Sequence, residues 1–349
     1  MLGLVTCVLA VVEPTIHNLS FSGPRNWTYD ARLVVPTGER SGLVVLMIGG
    51  GVGNDLDWTV PATLEWNGDV IPMTIDGTTH RDAPRIASAL VADGHAVMHY
   101  STIAREDPKR DRWPYEMTLM TPTELLSLAK LAASRLRAHP ATTKNSLVLL
   151  GHSMGGQRSC AQAADDPAVV GLVLLAPAQM TRTGADDPGR NLNQLDAHAQ
   201  LKACDTNGDG QVQGSEIPES SDLDQDGTLR MWEASAMLAR VRRAAMLPQE
   251  GPDSHGIPFG EDALAKRPLP TLILYGSIDD AQSHHAPILQ DLIDAGTLTS
   301  VEVRILPGIG HQLGPEQDNR LGPVSNEAIE PITAFLKRHH PQVPPPQGQ

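Results

Sequence analysis

Residues 147–156 of this 349-residue chain read LVLLGHSMGG, and this stretch decides the fold. Four consecutive aliphatic residues are typical of a strand that is buried on both faces of a parallel sheet. The pattern Gly-x-Ser-x-Gly follows at residues 151–155, and residues 157–164 then have the composition of a helix. A serine between a strand and a helix needs small neighbours, because the tight turn strains the backbone. The pattern alone arises by chance in roughly one chain of this length in ten, so its value depends on this setting.

The same alternation of strands and helices extends over most of the chain. The predicted strands are Leu33–Val35, Leu43–Ile48, Ala96–Tyr100, Leu147–Leu150, Leu172–Leu175, Thr271–Tyr275 and Val301–Ile305. The predicted helices are Arg85–Ala92, Thr123–Ala138, Gln157–Ala164 and Glu327–Arg338, the second starting at a capping box of Thr121, Pro122 and Glu124 and the last interrupted by Pro331. This order predicts an α/β fold with a doubly wound, mostly parallel sheet.

Composition excludes several classes of protein. The net charge of −14 argues against nucleic acid as a partner, because phosphate binding needs clustered Lys and Arg. Three cysteines are too few for a disulfide framework. No stretch approaches the ~18 apolar residues of a membrane span. The apolar segment Met1–Val12 has no positive flank, and it fits either the remnant of a signal peptide or a first strand.

A serine nucleophile needs a base and an acid that orients the base. In a strand–turn–helix serine site these partners follow the serine in the order acid, then histidine. Two strand ends offer them: residues 276–280 read GSIDD and residues 306–311 read LPGIGH. With these segments the chain resembles the α/β-hydrolase superfamily, over roughly residues 31–176 and 268–338.

That resemblance assigns roles to individual residues. Ser153 is the expected nucleophile, His311 the general base and Asp279 the orienting acid, with Asp280 as the fallback acid. His284 and His285 are weaker candidates for the base, and His152, inside the serine turn, is expected to pack against its neighbours or to line the pocket.

An oxyanion formed at the serine needs two N–H donors. One is expected from the backbone of Met154. The other is expected from residues 49–55, which read GGGVGND after a predicted strand and resemble the His-Gly-Gly-Gly loop of esterases and lipases, although Ile48 stands where that family often has His. Gly50 and Gly51 are the two candidates in this loop.

Residues 177–267 break the alternation, because they contain no convincing strand and are polar and acidic. We interpret them as a mainly helical cap inserted between two parts of the hydrolase core, residues 1–176 and 268–340. Residues 341–349 are predicted to be a disordered tail. In the superfamily an insertion at this place commonly forms a lid over the nucleophile.

The cap contains two segments with EF-hand spacing. Residues 205–216 read DTNGDGQVQGSE, and residues 222–233 read DLDQDGTLRMWE. The predicted calcium ligands are Asp205, Asn207, Asp209, Gln211 and Glu216 in the first loop and Asp222, Asp224, Asp226, Thr228 and Glu233 in the second. One such match arises by chance in about one chain in a thousand, so two adjacent matches predict two Ca²⁺ sites.

Only Ile217–Ser221 separates the two loops, so each loop cannot have two helices of its own. Asn191–Ala203 is the predicted entering helix and Met231–Met246 the exiting helix, an arrangement that resembles dockerin-type loops. This arrangement favours structural calcium over a calcium sensor. Sites of this kind fill at roughly 0.1–1 mM calcium outside cells, which favours an exported protein.

Together these features predict a serine hydrolase that cleaves small carboxylic esters through an acyl-enzyme, with a calcium-stabilised cap and no organic cofactor. The same fold acting on amides, lactones or peracids is the first alternative. A catalytically silent scaffold that binds a partner through its calcium loops is the second.

Overall fold

The structure is a computed structural model that describes residues 13–38, 40–51, 54–66, 69–108, 110, 120–182, 192–245, 256–318 and 320–339. For residues 66, 192–196 and 241–245 it describes the backbone alone. The apolar N-terminal segment and the predicted disordered tail lie outside the described residues.

An eight-stranded sheet forms the centre of the molecule, in the order β1-β2-β8-β3-β9-β10-β11-β12. Its strands are β1 (Thr15–Ser22), β2 (Thr28–Val35), β3 (Leu43–Ile48), β8 (Ala96–Tyr100), β9 (Ser146–His152), β10 (Val169–Leu175), β11 (Thr271–Gly276) and β12 (Val301–Leu306). Strand β2 pairs antiparallel with β1 and β8, and the pairs from β8 to β12 are parallel. The predicted mostly parallel sheet is therefore confirmed.

Three short two-stranded ribbons lie outside this sheet: β4 (Thr59–Val60) with β7 (His80–Arg81), β5 (Thr63–Trp66) with β6 (Asp69–Pro72), and β13 (Glu316–Gln317) with β14 (Arg320–Leu321). The helices are α1 (Asp82–Ala92), α2 (Pro122–Ala138), α3 (Met154–Asp165), α4 (Leu192–Cys204), α5 (Met231–Ala245), α6 (Gly260–Lys266), α7 (His285–Asp294) and α8 (Asn326–His339). Among the described residues, no helix has the length and hydropathy of a membrane-spanning segment.

Helices cover both faces of the sheet, as a doubly wound arrangement requires. On one face, residues of α2, α3 and α7 such as Leu128, Cys160 and Leu289 pack on the sheet. On the other face, Ile86 of α1 and Phe335 of α8 do the same. Strands β3 and β10 between these layers read as nearly continuous aliphatic runs because both of their faces are buried.

One predicted helix start is confirmed, and one predicted helix interruption is wrong. The predicted capping box is present: Thr121 Oγ accepts from the N–H of Glu124, whose carboxylate accepts from the N–H of Thr121. The predicted interruption at Pro331 is wrong, because α8 continues through it. Proline removes one N–H donor from the helix, and the apolar face of α8, which includes Ile332 and Phe335, is buried in the core and outweighs that loss.

The insertion leaves the sheet after β10 and returns at β11. Its helix α6 contacts α3, and its helix α5 contacts α7. Arg240 on α5 forms an ion pair with Asp291 on α7, with 2.7 Å between Nε and Oδ2. The described part of the insertion is therefore attached to the core near the edge of the sheet formed by β11 and β12.

Candidate active site

Ser153 lies in a strained turn between β9 and α3. Its φ of 53° and ψ of −126° are unfavourable for a residue with a Cβ. The turn brings the chain so close to β3 that a Cβ on Gly155 would lie 2.2 Å from the carbonyl oxygen of Ile48. Glycine is therefore required at that position. Ser153 itself is partly exposed, so a substrate can reach its hydroxyl.

The structure brings together the three residues that the sequence analysis assigned to the triad. Asp279 Oδ2 accepts from His311 Nδ1 at 2.9 Å, and Ser153 Oγ lies 3.2 Å from His311 Nε2. An ionised carboxylate can only accept, so Nδ1 carries the proton of a neutral imidazole and Nε2 is free to accept from the serine. The three residues lie at the C-terminal ends of β9 and β11 and just after β12.

Asp279 is almost completely buried and well held. Its other oxygen, Oδ1, accepts from the N–H groups of Ala281 at 3.1 Å and Gln282 at 3.2 Å. The fallback acid, Asp280, has a different partner, because its Oδ1 accepts from the backbone N–H of Trp232 at 3.2 Å. The geometry therefore distinguishes the two neighbouring carboxylates.

The two candidate glycines of the oxyanion loop differ in their surroundings. A Cβ on Gly50 would lie 2.6 Å from Cβ of Ser153, so the backbone of Gly50 lies against the serine. Gly51 has a φ of +57° and faces open space. The side chain of Asn54 donates to the carbonyl of Gly50 and fixes that peptide. Of the two glycines, Gly50 is the one that lies directly against Ser153.

Arg158 connects the oxyanion loop to the serine turn, a role that the sequence analysis missed. Its Nη2 donates to the carbonyl of Gly51 at 2.9 Å, and its Nε donates to the carbonyl of Met154 at 3.0 Å. The guanidinium is 1% exposed, and burial lowers its pKa to about 10. A charged residue inside the otherwise buried helix α3 is the signal in the sequence that could have revealed it.

His152 contacts the backbone of the triad histidine, His311. Its Nε2 lies 3.0 Å from the carbonyl oxygen of His311 and must donate to it. Burial, together with the nearby charge of a protonated His311, lowers the pKa of His152 to about 4, so it is neutral at physiological pH. The two weaker candidates for the base, His284 and His285, are buried at the start of α7, where His285 Nδ1 pairs with Thr181 Oγ1 at 2.8 Å.

The two acidic loops of the insertion lie side by side. The N–H of Leu229 donates to the carbonyl of Val212 at 2.9 Å, and Gln213 and Thr228 form an antiparallel bridge. In each loop the first aspartate accepts from the N–H of the glycine at position six, Gly210 at 3.0 Å and Gly227 at 2.9 Å. Both of these glycines have positive φ, as the sharp bend at position six of an EF-hand loop requires.

Carboxylates converge in the second loop. Asp222, Asp224 and Asp226 each offer an oxygen within 4.8 Å of the other two. Glu233 at the last position is buried, and burial, with a contribution from Asp224, raises its pKa to about 7. Burial and the charge of Asp226 also raise the pKa of Asp224. A cation would relieve this crowding of negative charge.

In the first loop, as in the second, side chains at the ligand positions also accept from backbone N–H groups. Asn207 and Asp209 accept from the N–H groups two residues ahead, at Asp209 and Gln211, both at 2.8 Å. Glu216 Oε1 lies over the start of the loop and accepts from the N–H groups of Thr206 and Asn207. The predicted ligand residues of both loops offer oxygen, the donor that Ca²⁺ prefers, and in that respect fit the ion. Position nine of the second loop is Arg230, whose guanidinium pairs with Asp226.

Comparisons with known proteins agree with this fold. The sequence matches the model of the Alpha/beta hydrolase family over residues 45–321. A search of the curated proteins found no significant match. A lipase in an open form has a similar structure, with a TM-score of 0.54 and 14% identity over 94% of this chain and 100% of that chain. A dienelactone hydrolase from Anabaena variabilis has a TM-score of 0.50 and 14% identity over 94% of this chain and 99% of that chain. A proline iminopeptidase from Mycobacterium smegmatis has a TM-score of 0.50 and 15% identity over 93% of this chain and 99% of that chain. Since the family match covers more than half of its length, the chain belongs to the alpha/beta hydrolase family.

Proposed function

We propose that this protein is a serine hydrolase that cleaves carboxylic esters of small molecules. The observation that carries the proposal is the hydrogen-bonded chain from Asp279 through His311 to Ser153, at the C-terminal edge of the sheet. A partly exposed serine in a strained turn, hydrogen-bonded to a neutral imidazole, fits the geometry of an activated nucleophile.

In the proposed reaction, Ser153 Oγ attacks the ester carbonyl while His311 Nε2 takes its proton. The carbonyl oxygen becomes an oxyanion, and the N–H groups of Met154 and Gly50 stabilise it. The intermediate collapses, the alcohol leaves with the proton from His311, and an acyl-enzyme remains on Ser153. Water then attacks the acyl carbon while His311 takes one of its protons. The bond between the acyl carbon and Ser153 Oγ breaks, His311 returns the proton to Ser153 Oγ, and the acid is released. Asp279 stabilises the imidazolium in both halves.

The experiment that tests this proposal combines active-site labelling with a substrate panel. We expect a fluorophosphonate probe to label the wild-type chain and Ser159→Ala, a control at a buried serine on the same helix. We expect neither labelling nor turnover of p-nitrophenyl esters in Ser153→Ala. Ser153→Ala that keeps the wild-type rate would contradict the proposal.

Amide, lactone and peracid substrates belong in the same panel. The fold is shared with a lipase, a dienelactone hydrolase and a proline iminopeptidase, and a triad does not by itself select the leaving group. Preferential turnover of a lactone or an amide would keep the triad and replace the ester as substrate. No labelling and no turnover, together with calcium-dependent capture of a partner, would instead favour a binding scaffold.

We further propose that residues 177–267 form a cap that binds two structural calcium ions through residues 205–216 and 222–233. The paired backbones, the positive-φ glycines and the convergent carboxylates of residues 222–226 support this assignment. When bound, calcium would supply positive charge that holds these carboxylates together. Such sites fill outside cells, which supports export to the periplasm or the medium. Calorimetric titration with CaCl₂ should give two sites per chain, and no binding would contradict the assignment.

A further inference from the structure

The second calcium-type loop is attached to the loop that carries the triad acid. The indole N–H of Trp232, at position eleven of residues 222–233, donates to the carbonyl of Ser277 at 2.8 Å. The backbone N–H of the same residue donates to Asp280 Oδ1 at 3.2 Å. These two acceptors flank Asp279 in the sequence, two residues before it and one residue after it. Trp232 is completely buried, so solvent cannot replace these hydrogen bonds.

The acid loop (residues 276–280) is in turn attached to the histidine loop (residues 306–311). Ser277 Oγ accepts from the N–H of Gly308 at 2.9 Å, and the N–H of Ser277 donates to the carbonyl of Leu306 at 2.9 Å. The N–H of Ile278 donates to the carbonyl of Ile309 at 3.1 Å. A displacement at Ser277 therefore changes the relative position of the loops that carry Asp279 and His311.

On its other side Trp232 adjoins Glu233, the predicted calcium ligand at position twelve. Glu233 is buried and accepts from the N–H groups of Leu223 and Arg230, at positions two and nine of the loop. Trp232 and Glu233 both lie in the first turn of α5, where the helical backbone links their positions. A glutamate that moves to close a coordination shell must therefore move the tryptophan beside it.

The first loop lacks this attachment. In the described part of the chain, the hydrogen bonds of residues 205–216 stay within that loop or join it to α4, to Ile217 or to the neighbouring loop. Its position eleven is Ser215, an exposed residue. The two loops share a sequence pattern, but only the second reaches the acid loop through a buried side chain.

We propose that calcium in residues 222–233 activates the Ser153 site, with Trp232 as the positioning residue that couples the loop to the Asp279–His311 pair. The inference rests on the proposed hydrolase function and adds that calcium changes turnover as well as stability. Trp232 acts through Ser277 and Asp280 and does not touch the substrate. The bound ion fixes Glu233, and the fixed first turn of α5 holds the acid loop in register with the histidine loop.

The test compares Trp232→Phe with Trp27→Phe in the full chain, because Trp27 is a half-buried tryptophan in the distant turn between β1 and β2. Phenylalanine keeps the bulk and removes the indole donor. The first measurement is kcat and KM for a p-nitrophenyl ester, in EDTA and in saturating CaCl₂. The second is the downfield proton NMR signal of His311 Nδ1–H, identified by its loss in Asp279→Asn, which reports the pair without any turnover.

We expect calcium to shift the His311 signal and raise kcat about fivefold, the effect of one net hydrogen bond, with KM unchanged, in the wild type and in Trp27→Phe. Both responses should be absent in Trp232→Phe. If that variant does not fold, Glu233→Gln replaces it and should also lose both responses, whereas Glu216→Gln in the first loop should keep the calcium-induced NMR shift.

Two outcomes overturn the inference: an His311 signal in the wild type that calcium leaves unchanged, or a Trp232→Phe variant that responds like the wild type. Failure of the hydrolase proposal has a different signature. In that case no substrate is turned over and no probe is attached to Ser153, while the NMR response to calcium and its loss in Trp232→Phe still support the coupling.

Discussion

The Ser153 site and the paired acidic loops differ in how their charges are balanced. At the Ser153 site the chain supplies a partner for each charge: Asp279 accepts from His311 and from two backbone N–H groups. In residues 222–233 three aspartates converge within 4.8 Å, and among the described ion pairs one arginine, Arg230, reaches them. The difference teaches that the fold alone assembles the first site. The second site contains more negatively charged carboxylates than the described cationic side chains around it can neutralise.

The largest expected effect distinguishes two neighbouring carboxylates of the assembled site. Asp279→Asn should lower kcat by about 10⁴-fold, because an amide cannot hold His311 in the tautomer that accepts from Ser153. Asp280→Asn keeps an oxygen for the N–H of Trp232 and should keep kcat within about tenfold of the wild type. The measurement is steady-state hydrolysis of a p-nitrophenyl ester in saturating calcium. Equal losses in the two variants would show that the assignment of the acid is wrong.

The next effect concerns the oxyanion loop. Gly50→Ala should lower kcat by about 10²- to 10³-fold, because its Cβ would lie 2.6 Å from Cβ of Ser153 and must displace the N–H donor. Gly51→Ala places its Cβ in open space and should cost about 1 kcal/mol of stability through its positive φ, with little change in rate. Urea unfolding of both variants separates stability from turnover. A larger rate loss in Gly51→Ala would move the donor to that residue.

Calcium should stabilise the fold by about 1–3 kcal/mol per site at saturating concentrations. We expect EDTA to lower the melting temperature of the wild type by several degrees. Glu233→Gln should remove most of the calcium-induced rise in melting temperature, because residues 222–233 are attached to the core. Glu216→Gln should keep part of that rise. Differential scanning calorimetry with and without CaCl₂ measures both variants. A melting temperature that is the same in EDTA and in CaCl₂ would contradict the calcium assignment.

The sequence predicts the parallel strands well, because burial on both faces leaves continuous aliphatic runs such as Leu43–Ile48. Strand β1, Thr15–Ser22, escapes prediction because most of its residues are polar and exposed, and it pairs only with β2 at the edge of the sheet. Ser153, Asp279 and His311 are predictable because each lies within a short motif at the end of a strand.

The residues that hold the site in place are less predictable, because their partners are distant in the sequence. Arg158 binds a carbonyl 107 residues away, and Trp232 binds one 45 residues away. No local pattern encodes such pairs. The sequence does show that a charged residue, Arg158, and a bulky one, Trp232, stand in helices that are largely buried.

Acid should weaken the assembled core through its buried histidines. The pKa of His152 is lowered to about 4, whereas a histidine in the unfolded chain has a pKa of about 6.5. Between about pH 6.5 and about pH 4 the unfolded state therefore binds a proton that the folded state does not bind. The free energy of unfolding falls as the pH drops through this range. At about pH 5 the loss is of order 2 kcal/mol for His152. Urea unfolding of His152→Gln should show a correspondingly smaller difference between about pH 7 and about pH 5, whereas His198→Gln, at an exposed site, should match the wild type. An identical pH dependence in His152→Gln and the wild type would mean that this imidazole can be protonated in place.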